Sequence, residues 1–432
     1  MNLGASDPAF GEWLNRACFC VSLDSAALEK ALGDEIGDAR FVREQLLTRE
    51  SLFSAVSVFV SRTDYAAMAA VVAAVEAAAR LPRFREAALG WAPQIARVER
   101  AADGVFMGYD FHLSDQGPRL IEVNTNAGGA FLNAPLAAAN RACCVRVEAL
   151  YRSTLDNFGP AVIAMFQREW ALERGDKPLQ RIAIVDDAPR SQYLYPEFVL
   201  AAQLFRRHGI DAVIADPREL RFDGTALFAG GERIDLVYNR VVDFALAEES
   251  HAALRAAYLA GAIVLTPNPR HHALLADKRN LTLLSEPARL AAWGLEPRHL
   301  EALKAVPHTE LVTPQSAEAM WQARKSLFFK PVAGHGAKAV YRGDKLTRAV
   351  WQSICASDYV AQEAVAPPAR SVRVDGASKA LKFDLRLYTY NGEVLLAAAR
   401  TYQGQTTNFR TAGGGFAAVM VFGEGNAPPA CA

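Results

Sequence analysis

Net charge is missing from this sequence. Its 47 Lys and Arg residues balance 47 Asp and Glu, so no broad basic footprint for nucleic acid is expected, although a local basic cleft fits the same balance. No apolar run approaches the ~20 residues of a membrane span, so no membrane partner is expected. Residues 1–7, Met1-Asn2-Leu3-Gly4-Ala5-Ser6-Asp7, lack a basic stretch followed by an apolar core, and no signal peptide is expected. Cysteine is scarce. The six positions, Cys18, Cys20, Cys143, Cys144, Cys355 and Cys431, match no zinc spacing. A chain of 432 residues, 51% hydrophobic and 22% charged, has enough core for several domains and needs no disulfide staples. A reduced, cytoplasmic setting is expected, with the cysteines as buried apolar residues. Two glycine motifs are also absent. There is no G-x-x-x-x-G-K-[ST] loop, and no G-x-G-x-x-G follows the first strand of the central unit, which argues against a nicotinamide site.

What is present starts with Leu120-Ile121-Glu122-Val123-Asn124-Thr125-Asn126-Ala127-Gly128-Gly129. It reads as a strand running into a glycine turn. Glu122 and Asn124 leave one face, Ile121 and Val123 the other. A second alternating run, Tyr109-Asp110-Phe111-His112-Leu113, lies upstream, joined by the turn formers at 114–118. A hairpin centred on Gln116 sets Asp110 opposite Glu122. Directly opposed residues have Cβ atoms ~5 Å apart, and like charges there repel. A cation would relieve that repulsion, and two carboxylates with an amide oxygen suit Mg²⁺. The competing reading is a half-exposed hairpin with a solvated polar face. A one-residue slip in register would also move one carboxylate to the other face.

The rest of the chain divides by pattern. Residues 1–95 read as helical, with an alanine-rich helix at 66–79 ended by Leu81-Pro82. Helix returns at 135–175. From Arg181, strands at 182–186, 212–216, 234–240 and 262–265 alternate with helices at 198–208 and 252–260. That alternation implies a parallel sheet covered by helices, with ligands at the carboxyl ends of its strands. From about 276 the pattern turns antiparallel, with strands at 327–331, 339–341 and 359–365. An Asn391-Gly392 turn joins runs at 382–390 and 393–402, the strongest short hairpin signal. There is no internal repeat.

Strand, lysine, glycine loop, strand is one way to cover polyphosphate: Lys330 supplies charge and the loop at 332–338 supplies backbone N–H groups. The plainer reading is a hairpin whose turn holds Gly334 and Gly336. Downstream, Asp384 and Arg386 share a strand face, and Arg386, Arg400 and Arg410 form a basic set. Arginine offers forked donors for carboxylate and phosphate. Such a set would repel itself unless an anionic ligand or acidic partners sit among it; its plainer reading is surface arginines paired with Asp and Glu.

Taken in order, Lys-Pro with a glycine loop, Gln-Glu at a strand end, Asp-x-Arg, a lone Arg and then Asn-x-Arg-x-x-Gly-Gly resemble the ATP-grasp superfamily. In relatives the last part is a strand with Asp, then Glu-x-Asn and a glycine turn, carrying the Mg²⁺ ligands. Here that part lies at 105–129, near the other end. The order is similar to the circularly permuted one of eukaryotic-type glutathione synthetases and glutathionylspermidine synthetases. The glycine-alanine stretch at 413–419 also resembles the alanine-rich substrate loop of glutathione synthetases. The resemblance covers about 105–130 and 181–420.

The resemblance implies roles. Asp110, Glu122 and Asn124 would bind Mg²⁺ bridging the ATP phosphates. Lys330 and Lys278 would contact the phosphates, under the loop of Gly334 and Gly336. Gln362, Glu363 and Val365 would form the adenine hinge. Arg386, Arg400, Asn408 and Arg410 would face the γ-phosphate and the substrate carboxylate. Two departures stand out: Pro367-Pro368 follows the hinge where relatives carry an acidic residue for the ribose, and His335 replaces a small residue in the loop. The implied fold class is α/β (α+β), a permuted ATP-grasp fold. Residues 1–175 would form an N-terminal helical region with the hairpin, 176–275 a Rossmann-like substrate domain, and 276–432 the ATP-grasp domain. The implied activity is an ATP-dependent carboxylate–amine ligase acting on small molecules through an acylphosphate. The alternatives are an ATP-dependent phosphotransferase and a nucleotide-binding protein without turnover. Which carboxylate and amine are used, and the oligomeric state, are left open.

Overall fold

The computed structural model describes residues 8–140, 157–332, 334, 339–374 and 376–422. Its largest sheet runs, in spatial order, Val58–Ser61, Gly415–Phe422, Glu393–Tyr402, Ala377–Tyr390, Met107–Ser114 and Gly117–Asn124, with Ala369–Val374 paired to the outer half of Ala377–Tyr390. The first pair is parallel and the others antiparallel. Alternation along the strands sorts the side chains. Leu385, Leu387, Ala399 and Tyr109 pack with Val71, Val72 and Val75 of the helix Arg62–Arg80 on one face. Asp110, Asp384, Arg386 and Arg400 leave the other. The alanines of Arg62–Arg80 let it lie close on the sheet, and its Ser61 side chain caps Asp64 N.

The hairpin forms with a tighter turn than expected. Ser114 pairs with Gly117, so the turn is Asp115-Gln116. That register would set Asp110 opposite Ile121. A bulge between Asp110 and Phe111 absorbs Ile121 and restores the pair Asp110–Glu122. A bulged residue leaves the ladder. Ile121 therefore lines the cavity instead of facing away from it, and its carbonyl accepts from Lys330 Nζ at 2.8 Å.

The central unit is a parallel sheet in the order Val264–Thr266, Leu236–Asn239, Arg181–Val185, Asp211–Ala215. Ile182 and Ile184 pack on the helices Phe158–Arg174 and Tyr195–Arg207, Ala183 and Val185 on Ala252–Leu259. A third, antiparallel sheet runs Thr309–Leu311, Tyr359–Glu363, Leu327–Pro331, Tyr341–Arg342.

Four expectations need correcting. The N-terminal region is not purely helical: Val58–Ser61 is the parallel edge strand beside Gly415–Phe422. Four apolar or small residues between polar flanks carry no periodicity long enough to mark a strand, and only the tertiary partner makes it one. Second, residues 415–419 are not a loop. They are strand, buried between two neighbours, because Gly and Ala leave room for backbone pairing on both sides. Third, the strand expected over 359–365 ends at Glu363, and Ala369–Val374, after Pro367-Pro368, is a further strand. Fourth, Cys20 and Cys355 are exposed, whereas Cys18 is buried. The apolar positions expected in a helix at Val147, Leu150 and Leu155 lie outside the described residues, as do Cys143, Cys144 and Cys431. No single helix among the described residues is long and apolar enough to cross a membrane.

Candidate functional site

The three sheets meet around a cavity of about 600 Å³. The large sheet presents Asp110, Glu122, Asn124, Asp384, Arg386 and Arg400 to it. Lys330 and Gln362 come from the antiparallel sheet, and Asp186 and Arg240 from the carboxyl ends of the parallel one. Glycine permits two close approaches beside the cavity. A Cβ on Gly108 would meet Ala127 Cβ at 2.5 Å, and one on Gly129, at φ +107°, would meet Phe416 Cζ at 2.4 Å.

Charges alternate along the sheet face. Arg386 donates from Nε to Asp110 Oδ1 and from Nη2 to Oδ2, each at 2.6 Å. Arg400 Nη2 donates to Asp110 Oδ2 at 2.8 Å and Arg400 Nε to Asp384 Oδ1 at 2.6 Å. Thr407, on the loop after Glu393–Tyr402, donates to Asp384 Oδ2. The arginines thus have acidic partners, but buried ones, not the solvated ones of the plainer reading. Asp110 is 2% exposed. Burial alone would raise its pKa, yet Arg386 and Arg400 outweigh it and hold the carboxylate well below the usual range.

Glu122 and Asn124 stand beside this ladder. Asn124 Nδ2 donates to Asp110 Oδ2 at 3.2 Å and to Glu122 Oε1 at 3.3 Å, which turns the Asn124 oxygen the other way. No three His, Cys, Asp or Glu side chains gather as a metal cage among the described residues. The donor set instead suits a hard cation that takes one carboxylate and an amide oxygen and fills its shell with phosphate and water. Glu122 and Asn124 meet that need; both Asp110 oxygens are already engaged by guanidinium groups.

Lys330, 5% exposed, donates to Ile121 O and, at 2.7 Å, to Gln362 Oε1. Burial lowers its pKa to about 8, against the pull of Glu122. Lys278 Nζ donates to Gly334 O at 2.9 Å, tying the start of the glycine loop to the cavity wall. Gly336 and His335 lie outside the described residues. His112 Nδ1 lies 3.0 Å from Val365 O, and burial keeps the ring below its ordinary pKa despite Asp384. Glu363 lines the rim and pairs with Arg119 at 3.7 Å. Asn408 and Arg410 are placed differently from the rest. Asn408 holds its own loop, donating to Gln403 O and Thr406 O and accepting from Arg410 N. The Arg410 side chain is exposed and does not line the cavity.

Of the other lining residues, Arg240 closes the strand at 234–240 and reads from the sequence as a salt-bridged strand end or, less simply, as a substrate contact. Arg240 donates to Asn126 O at 2.7 Å and to Tyr238 OH, with Glu197 Oε2 at 3.6 Å. Its Nε has no partner among the described residues. Asp186 follows Arg181–Val185. Burial raises its pKa to about 7, opposed by Arg240. The signal that finds both is topological: each sits just past the carboxyl end of a parallel strand. Tyr193 stacks on Phe409 at 5.5 Å, and Arg49 of the N-terminal region lies over Tyr193 and donates to its carbonyl.

No family model matches the chain, and no curated protein matches it either. Solved structures do. A glutathione synthetase-like effector, GSS30, from Globodera pallida is 12% identical, with 94% of this chain and 100% of that chain covered at a TM-score of 0.55. A putative gamma-glutamylcysteine synthetase from Methylobacillus flagellatus is 11% identical, with 79% and 84% covered and a TM-score of 0.45. The sequence order, the sheet that joins residues 107–124 to 377–422, and the match to the glutathione synthetase-like effector agree: the chain has an ATP-grasp-like fold in the permuted, glutathione synthetase-like arrangement.

Proposed function

We propose that the protein is an ATP-dependent carboxylate–amine ligase that uses Mg²⁺. The observation that carries this reading is the alternating row Arg386–Asp110–Arg400–Asp384, set beside Glu122 and Asn124 and across one cavity from Lys330 and Lys278. Such a row keeps two guanidinium groups charged and aimed in a buried site, where they act on developing anionic charge without reorganising. Glu122 and Asn124 would hold the metal. Lys330 and Lys278 would hold phosphate oxygens, and Gln362, Glu363 and Val365 the base. Bound ATP supplies a phosphoryl group that activates a carboxylate for attack by an amine, with ADP and then phosphate leaving.

Arg386 and Arg400 would orient the substrate carboxylate toward the phosphates. Arg240 and Asp186, which line the same cavity, offer a cation and a carboxyl group to a zwitterionic substrate such as an amino acid or small peptide. The loop from Gln403 to Thr411, pinned by Thr407 on Asp384 and by Phe409 on Tyr193, would keep water from the activated acid. We read 1–175, 176–275 and 276–432 as the units that build this cavity between them.

The test is product analysis with Mg²⁺, ATP and a panel of amino acids, small peptides and polyamines. ADP and phosphate are expected in equal amounts, with a hydroxamate when hydroxylamine replaces the amine. AMP with pyrophosphate would rule the acylphosphate route out. Phosphate retained on the substrate would make the protein a phosphotransferase.

A further inference from the structure

We propose that His251, protonated on both ring nitrogens, is a positioning residue: it clamps together the two loops that carry Asp186, Gln192, Val242 and Phe244 into the cavity, and so sets affinity for the non-nucleotide substrate. The effect on substrate rests on the ligase reading above; the clamp itself does not. His251 ends the short helix Glu249–His251, is fully buried and does not line the cavity. Its Nε2 lies 3.0 Å from Asp187 Oδ1, and its Nδ1 lies 2.9 Å from Asp243 Oδ2. Asp187 follows Asp186 on the loop after Arg181–Val185. Asp243 stands between Val242 and Phe244 on the loop after Leu236–Asn239. Asp186, Val242 and Phe244 line the cavity. So does Gln192, which donates to Asp187 O at 2.7 Å. One ring therefore joins two loops that leave the carboxyl ends of different parallel strands.

An ionised carboxylate only accepts, and a neutral imidazole has a single N–H. With a carboxylate at each nitrogen, the ring makes both bonds only as imidazolium. Burial pulls its pKa down, but Asp187 and Asp243 outweigh burial and hold it above the ordinary value. Other charged groups on the surrounding elements are engaged elsewhere or exposed. Asp216 pairs with Arg218 and accepts from Ala188 N, and Glu219 accepts from Asp216 N. Arg255 donates to Leu246 O, and Glu248 and Glu249 are exposed. Each loop also holds a residue with a side chain at positive φ, Ala188 at +42° and Leu246 at +50°, a conformation that persists only where neighbours hold it. The clamp is complete below the ordinary histidine pKa, and one of its two bonds is lost as pH rises through the folded value.

The first test needs no variant. In the full chain labelled with ¹⁵N-histidine, NMR at pH 7 should show one slowly exchanging ring with two N–H protons and imidazolium nitrogens, and His251→Gln should remove it. Absence of any such ring in the unaltered chain overturns the proposal. Hydrogen exchange at pH 7 should be faster in His251→Gln within 187–192 and 242–248 and unchanged in the large sheet; equal exchange in both proteins, or a uniform rise, overturns it too. For the substrate found by product analysis, His251→Gln should raise KM about tenfold near pH 6.5, with kcat and the KM for ATP near those of the parent. The KM ratio of variant to parent should fall toward one at pH 9.5, where the parent has lost the proton as well. Asp186 and Lys330 titrate in both proteins and cancel from that ratio. A ratio independent of pH marks a merely structural role and overturns the proposal. Asp243→Asn should reproduce the KM effect, and it replaces His251→Gln if that variant does not fold. Failure to turn over any substrate removes the ligase reading, and the NMR and exchange results then decide the clamp alone.

Discussion

Asp110 is buried and accepts from two arginines and an asparagine, so its removal acts on more than one function. Asp110→Ala leaves Arg386 and Arg400 buried without their shared anion, and breaking such a set costs about 3–5 kcal/mol. Because the folded carboxylate titrates lower than in the unfolded chain, its contribution is present above the ordinary value near ~3.9 and lost as pH falls below it. Denaturant titration at pH 7 and pH 3 checks both points; an equal cost at the two pH values would contradict the pairing. Glu122→Gln is a cleaner variant. It should remove Mg²⁺-dependent turnover while thermal unfolding stays near that of the parent, and retained activity at ordinary Mg²⁺ would remove Glu122 from the site. Asp186 has the opposite sign. Its folded pKa of about 7 lies above the unfolded one. The stability it contributes is therefore complete below ~3.9 and is lost as pH rises through 7. Asp186→Asn should stabilise the protein at pH 8, by on the order of 2 kcal/mol, and flatten the melting temperature between pH 5 and pH 8. An unchanged pH profile would show that Asp186 stays ionised throughout.

At the scale of elements, polar groups in the core do the joining. Glu169 of the helix Phe158–Arg174 is 0% exposed. It accepts from Asp103 N at 2.8 Å, Gly104 N at 3.0 Å, Tyr390 OH at 2.9 Å and Thr266 Oγ1. One side chain thus ties a helix to the entry of the hairpin, the parallel sheet and the large sheet. Glu169→Ala strands those donors, and each unmade buried donor costs about 1–3 kcal/mol. A loss of about 3 kcal/mol or more is expected in urea unfolding, and a loss under 1 kcal/mol would mean that water replaces the carboxylate. Arg370 works in the same way. Buried, it donates to Ser57 O, Asn15 O and Cys18 O and so clamps the N-terminal segment onto the strand Ala369–Val374. Local patterns foretold some elements because their cause is local. Asn391 and Gly392 take φ +50° and +85° at the expected turn, a conformation those residues tolerate. Nothing local marks Glu169 or Arg370, whose partners are scattered through the chain.

For the whole molecule, the large sheet takes strands from both ends of the sequence. Val58–Ser61 pairs with Gly415–Phe422, Met107–Ser114 with Ala377–Tyr390, and Gly117–Asn124 extends the sheet beyond Met107–Ser114. A fragment of residues 176–432 lacks all three, exposing an edge on each side of what remains and losing Asp110, Glu122 and Asn124. It should aggregate and fail to bind Mg²⁺-ATP; a soluble, active fragment would separate the hairpin from the site. What the sequence alone determined about this protein is what depends on near neighbours. The hairpin at 107–124, the Asn-Gly turn and the alternating parallel unit follow from spacing, turn chemistry and periodicity. The bulge that restores the Asp110–Glu122 pair does not, and the cyclic order of motifs rests on the family resemblance. The tertiary structure decided the rest: that Asp110 faces Arg386 at a separation of 276 residues, that Lys330 caps the bulged Ile121, that Arg240 and Asp186 share the cavity, and that Arg410 does not enter it. Those outcomes depend on which strand lies beside which. That choice is made by burial of whole faces and long-range pairing, and no local window of residues contains it.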